Sequence, residues 1–422
     1  MRTTKNSGFE WIGEIPTSWE LYKGKYMFTQ RNLRGNTIEL QLLSPTQKYG
    51  VVPQSVYEDR SGMNAVKLNK NANLSALKTI HKGDFCISLR SFQGGFEYSE
   101  YEGVVSPAYQ VFYPVVKVAR GYYKYLFKDS GFIEKMNSYT MTLRDGKNIA
   151  FADFGNTYIL CPPVDEQQRI ADFLDTKCAE IDALTAGIQT QIDTLEQYKR
   201  SVITETVTKG LNPDAEMKDS GIQWIGNMPA HWDVIRGKYI LRYMQKPVRE
   251  DDGVITCFRD GEVTLRSNRR EDGFTMSDKE IGYQGIDVGD LVVHGMDGFA
   301  GSIGISDSRG KASPVLNVLD TDQCKRYIMY YLRSMAYSDV FLALATGIRV
   351  RSCDLRWNKL AELSYPVPPL DEQNAIVKHI DSVLSKADAV IADKKAQLAT
   401  LDEYKKSLIF EYVTGKKEVP VS

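Results

Sequence analysis

Two stretches of the chain carry an apolar stripe at helical spacing. In the first, Leu174, Ile181, Leu184, Ile188, Leu195, Tyr198 and Val202 recur at intervals of three, four and seven, the period of an amphipathic or coiled-coil helix. In the second, Ile380, Val383, Ala387, Val390, Leu401, Tyr404 and Leu408 keep much the same spacing, with Leu384, Ile391 and Leu398 as an adjacent stripe. Each stretch follows a Pro-Pro pair, and Asp165-Glu166 or Asp371-Glu372 places negative charge on the first turn, where the helix dipole favours it. The pattern predicts two helices of about 40 residues, each roughly 60 Å long. Lys177, Gln191, Glu205, Lys394 and Gln397 interrupt the seam and are expected to fix register and orientation at some cost in stability. The stripes are expected to pair with each other and to dock partner proteins, since nothing nearby in sequence supplies a core large enough to cover them.

The remaining segments read as mixed α and β. Short apolar runs, residues 85–89 and 291–293, follow Gly83-Asp84 and Gly289-Asp290 turns, and helical patches surround residues 122–136 and 324–341.

These segments are two copies of one plan. Ser7-Gly8-x-x-Trp11-Ile12-Gly13-x-x-Pro16-x-x-Trp19 returns as Ser220-Gly221-x-x-Trp224-Ile225-Gly226-x-x-Pro229-x-x-Trp232, and Gly24-Lys25-Tyr26 as Gly237-Lys238-Tyr239. Pro162-Pro163-Val164-Asp165-Glu166-Gln167 returns as Pro368-Pro369-Leu370-Asp371-Glu372-Gln373, and Ser106-Pro107 as Ser313-Pro314. Between these landmarks the heads differ strongly, as two bodies of one shape that recognise different things would. The fold class expected is therefore α+β: two mixed α/β domains joined by two long antiparallel, coiled-coil-like helices, an internal tandem repeat with pseudo-two-fold symmetry. The expected segments are a first head over 1–160, a central helix over 161–212, a second head over 213–366, a C-terminal helix over 367–415 and a tail over 416–422.

Charge changes the picture locally. The whole chain is near neutral at −1, but residues 1–164 carry an excess of about six positive charges, and the two helical stretches are net acidic. Different surfaces are thus expected to meet different partners. Cys86, Cys161, Cys178, Cys257, Cys324 and Cys353 lie far apart without a Cys-x-x-Cys pair, which predicts reduced thiols and no metal site. The start shows no apolar segment of signal or membrane-spanning length, so a cytoplasmic location is expected.

Candidate DNA contacts follow from Gly-rich loops and arginine clusters. After the Gly-Asp turns the first head offers Arg90, Ser91, Gln93 and Gly94, and the second His294 and Met296; corresponding loops with different polar chemistry suit base-edge readout. Arg144 and Lys147 in the first head, and Arg266, Arg269, Arg270, Arg349 and Arg351 in the second, suit phosphate or guanine. The paired tryptophans are expected in the core or as domain anchors.

The repeated Trp-Ile-Gly openings, the Lys82-Gly83-Asp84 and Ser106-Pro107-Ala108-Tyr109 elements and the Pro-Pro-x-Asp-Glu-Gln helix entries resemble type I restriction-modification specificity subunits over essentially the whole chain. The resemblance implies two domains that each read one half of a split site on double-stranded DNA, helices that set the spacing, two methyltransferase subunits bringing S-adenosylmethionine, and motor-nuclease subunits bringing ATP and Mg2+. It implies no catalysis and no cofactor in this chain. In agreement, no phosphate loop occurs, and neither Pro-Pro pair has the Asn/Asp before it or the aromatic ring after it that an adenine methyltransferase uses. Pro213-Asp214-x-Glu216-x-Lys218 mimics a nuclease motif, but its acids lie close together in an interdomain linker. The competing expectation is a non-DNA scaffold with two protein-binding heads joined by paired helices.

Overall fold

The computed structural model describes residues 2–34, 40–63, 76–88, 95–139, 149–269, 281–344 and 355–420. The chain packs into two compact units, Met1–Ile188 with Ala396–Ser422, and Gln189–Lys395. Each is α+β, and the two are built from the same parts.

In the first unit a four-stranded antiparallel sheet runs in the order Phe28–Gln30, Gln110–Pro114, Phe85–Ile87, Phe96–Tyr98. In the second the order is Arg242–Met244, Leu316–Asp320, Leu291–His294, Ile303–Ile305. Among the described residues each unit adds four two-stranded ladders in matching places, including Glu20–Lys23 with Tyr158–Cys161 and Asp233–Arg236 with Ser364–Val367. The Gly-Asp turns enter the sheet alike. Gly83 and Gly289 hold φ of 89° and 86°, a left-handed conformation that costs glycine little. The aspartate that follows is buried and bound to a cation, Asp84 to Arg31 at 2.6 Å and Asp290 to Lys246 at 2.6 Å. These aspartates therefore brace the turn.

The first core is aromatic: Phe28, Phe85, Phe96, Phe112, Phe127 and Phe154 are buried together, with Phe28 edge-on to Phe85 at 6.0 Å. The second core gathers Trp232, Tyr327, Tyr331 and Tyr365 with aliphatic side chains. Trp19 and Trp232 are fully buried and Trp11 and Trp224 partly so, which places all four in the packing. Cys86, Cys178 and Cys257 are buried thiols and Cys161 and Cys324 partly buried ones; Cys353 lies outside the described residues.

The two stripes form helices Val164–Lys209 and Leu370–Val413, of 46 and 44 residues. Each unit takes the beginning of one and the end of the other. In the first, Ile170, Leu174, Cys178 and Ile181 share a core with Leu408, Tyr412 and Val413; in the second, Ile203 and Val207 share one with Ile376, Val377 and Ile380. The pairing is antiparallel within each: Phe173 meets Tyr412 and Asp182 meets Lys405 in the first, Gln191 meets Lys394 and Lys199 meets Asp388 in the second. The buried seam is narrower than the apolar pattern. Leu174, Ile181 and Ile380 are buried, whereas Ile188, Leu195, Val383 and Leu401 are half-buried. Leu184, Tyr198, Val390 and Tyr404 face outward, 58%, 51%, 45% and 53% exposed, while Ile192 and Ile391 are buried. A straight helix of 3.6 residues per turn drifts from a seven-residue repeat, so a stripe that reads as continuous in sequence leaves the contact face.

Candidate nucleic-acid interface

Each head is clamped to its helices by a repeated set of buried polar contacts. Gln167, fully buried, accepts from the Ala119 amide at 2.9 Å and donates to the Pro162 carbonyl at 2.8 Å. Gln373 does the same with Cys324 and Pro368, each at 2.9 Å. The Tyr122 hydroxyl donates to the Val413 carbonyl at 2.6 Å and Tyr327 to that of Val207 at 3.0 Å. Burial pushes both phenols well above the usual range, so they remain protonated donors. Sequence reasoning took the glutamines only as part of a landmark and missed the tyrosines, whose partners lie far along the chain.

On this scaffold the second head presents the loop that follows Leu291–His294. The Gly295 amide donates to Val315 and its carbonyl accepts from Leu355, both at 2.8 Å, while Asn317 donates to the Val293 and Leu355 carbonyls at 3.1 and 3.0 Å. The loop is thereby fixed, as a reading surface requires. His294 Nδ1 accepts from the Met296 and Asp297 amides at 3.2 and 3.0 Å, which puts the ring proton on Nε2. Burial lowers its pKa, leaving a neutral ring with Nε2–H as its donor. Met296 beside it is 51% exposed.

The turn between strands Ile255–Cys257 and Val263–Leu265 lies against this loop, because Arg259 pairs with Asp297 at 3.1 Å. The same turn ties down Arg269, which pairs with Asp260 at 2.6 Å and Glu262 at 3.1 Å and lies 4.2 Å over the Phe258 ring. Those carboxylates raise its pKa. Arg269 thus braces the turn. Arg266 opens the short 3-10 turn Arg266–Asn268 and donates from Nε to Thr256 Oγ1 at 3.4 Å. The structure therefore brings His294, Met296 and Arg269 around one turn. Arg90, Ser91, Gln93, Gly94, Arg144, Lys147, Arg270, Arg349 and Arg351 lie outside the described residues.

Residues 17–194 match the family model described as "Type I restriction modification DNA specificity domain". Over that stretch the chain is similar to type I restriction-modification specificity subunits. Among its relatives are the type I restriction enzyme MjaVIII specificity subunit of Methanocaldococcus jannaschii, 24% identical over 283 residues, and the EcoBI specificity subunit of Escherichia coli, 21% identical over 315. The alignments cover 63% and 68% of this chain and only 63% and 64% of those proteins' own lengths. Among solved structures, a chain from work on complex assembly and conformational transition of the type I restriction-modification system is similar with a TM-score of 0.68, over 96% of this chain and 99% of that one, at 15% identity. The HsdS subunit of Thermoanaerobacter tengcongensis is similar with a TM-score of 0.50 over 98% and 100%, also at 15% identity. At such identity the likeness establishes the fold: two α+β domains joined by long helices. Among the described residues of the chain no helix is long and apolar enough to cross a membrane.

Proposed function

We propose that this chain is the specificity subunit of a type I restriction-modification system, reads a bipartite, asymmetric target on double-stranded DNA, one half with each head, and supplies no catalytic group of its own. The observation that carries the reading is the duplication. Sheet order, Gly-Asp turn, glutamine clamp and helix pairing are the same in both units, while the sequences that follow the two Gly-Asp turns carry Arg90 and Gln93 in one copy and His294 and Met296 in the other. A shared frame with unlike loops fits two readers of unlike half-sites.

The outward-facing apolar residues of the helices support docking of two methyltransferase subunits. Leu184 and Val390 are repeat counterparts, as are Tyr198 and Tyr404, and all four are about half exposed. Two equivalent patches fit two copies of one partner. Those partners would bring S-adenosylmethionine, and motor-nuclease subunits, where present, ATP and Mg2+; the assembly would act in the cytoplasm.

Exchanging residues 1–160 for the corresponding head of another specificity subunit and mapping methylated adenines tests this reading. One half of the target should change and the other stay. A change in both halves, or methyl transfer by this chain purified free of partner, overturns it.

A further inference from the structure

The heads share one exposed feature that their packing does not require. In both copies of the Gly-Lys-Tyr element the burial runs buried, exposed, exposed, buried over Gly24, Lys25, Tyr26, Met27 and over Gly237, Lys238, Tyr239, Ile240. The outer positions are explained by the fold. A Cβ on Gly24 would stand 2.6 Å from the Phe154 carbonyl oxygen, and one on Gly237 would stand 2.3 Å from that of Leu360; Met27 and Ile240 belong to the cores. The inner two are not. Tyr26 is 63% exposed and Tyr239 74%, and in each case the neighbouring lysine Nζ lies 5.5 Å from the ring centre. Two residues earlier stands another cation, Lys23 or Arg236.

What differs around this set says what it binds. In the first head its surroundings are apolar: Tyr22 and Tyr158 are 42% and 38% exposed, Val115 and Val116 53% and 44%. By strand register the second head has Ile235, Ser364, Asp322 and Gln323 at those places. The donors are retained, while three of the four apolar rim positions become polar and only Ile235 stays apolar. A protein partner common to both heads would need the rim. A phosphate needs only donors, and the backbone is what two unlike half-sites have in common.

We propose that Lys25 with Tyr26, and Lys238 with Tyr239, form equivalent contacts to the DNA phosphate backbone, a proposal that rests on the DNA-recognition reading above. In the second head the helix Trp357–Glu362 joins this contact to the reading loop. Its entry is bonded to Gly295 through Leu355, and its end packs on Gly237 and supplies Glu362 to Lys238 at 3.1 Å. Six residues of helix span about 9 Å, the rise of two or three base pairs. Glu362 also pairs with Arg236 at 3.0 Å. Both pairs are exposed, so they are weak, and a phosphate competes with the carboxylate for the same cations. The first head has Asn156 there.

The test is binding of the full chain to two duplexes, one with and one without its methylation site, across a salt series. Lys25→Ala combined with Lys238→Ala should weaken binding to both duplexes by the same factor and lower the slope of log affinity against log salt by about 0.9 per lost contact. Tyr26→Phe with Tyr239→Phe should give a smaller parallel loss, and Glu362→Gln a gain on both duplexes. Unchanged affinity and slope, a loss confined to the duplex bearing the site, or loss of methyltransferase co-elution with DNA binding intact would overturn the proposal. If the unaltered chain binds neither duplex, the DNA-recognition reading fails and this contact with it.

Discussion

Lys405 donates to Asp182 at 2.6 Å. The pair is written twice: 405 − 199 and 388 − 182 are both 206, and Lys199 donates to Asp388 at the same 2.6 Å. One lysine and one aspartate per repeat thus orient both antiparallel pairings. Asp182 and Asp388 are 63% and 57% exposed, so these bridges define register and add little stability. Asp182→Ala should lower the unfolding free energy by less than about 1 kcal/mol, whereas Leu174→Ala or Ile380→Ala, in the buried seam, should each cost about 2 to 5 kcal/mol. Urea unfolding of the full chain measures both, and a larger effect from the aspartate would show that the bridge holds the helices together.

The glutamine clamp predicts a different ranking. Gln167→Ala leaves the Ala119 amide and the Pro162 carbonyl without their buried partner, at a cost of about 1 to 3 kcal/mol, and Gln373→Ala should match it. Gln167→Glu should be worse, because it removes the donor to Pro162 and buries a charge. Equal stability of the alanine and glutamate variants would count against the clamp.

Glu97 gives the first unit a pH dependence. Its side chain is buried, and desolvation raises its pKa from an ordinary 4.5 to about 7, outweighing Lys128 at 2.7 Å. Between those values the native state holds a proton that the unfolded chain has released, so stability falls as pH rises from about 4.5 to 7 and is level above. Glu97→Gln should flatten this part of the curve. A profile of the unaltered chain that rises over the same window would contradict the assignment.

The repeat, the long helices and the buried tryptophans were legible in the sequence because each rests on periodicity or on an identity that recurs. The outward turn of Leu184, Tyr198, Val390 and Tyr404 was not. An apolar residue at heptad spacing looks the same whether or not the helix has drifted off its partner. Tyr122 and Tyr327 were invisible for another reason: their carbonyl partners lie 291 and 120 residues away, beyond any local pattern. Arg269 shows the limit for candidate sites. Sequence leaves a DNA contact and a structural ion pair equally open for it, whereas the fold sets Asp260 and Glu262 beside it.

The exposed helix tyrosines should carry partner docking. Tyr198→Asp and Tyr404→Asp introduce charge at surfaces that the fold itself does not bury, so the chain should fold normally while each change removes one methyltransferase subunit from the purified complex. Mass measurement of the complex would read this directly. Full occupancy in both variants would place docking elsewhere.

The spacing of the half-sites should depend on helix length. Residues 190 and 396 are repeat counterparts, 206 apart, near the places where the two helices pass from one compact unit to the other. Four residues inserted after each would keep the apolar faces nearly in phase at 3.6 residues per turn and would lengthen each helix by about 6 Å. With a rise of about 3.4 Å per base pair, the unread gap in the target should grow by one or two base pairs while both half-sites stay the same. The two insertions must be made together, since Gln191 meets Lys394 across the pairing and one alone would break that register. Mapping methylated adenines with the doubly lengthened chain reads the gap, and an unchanged gap at full activity would mean that the helices do not set it.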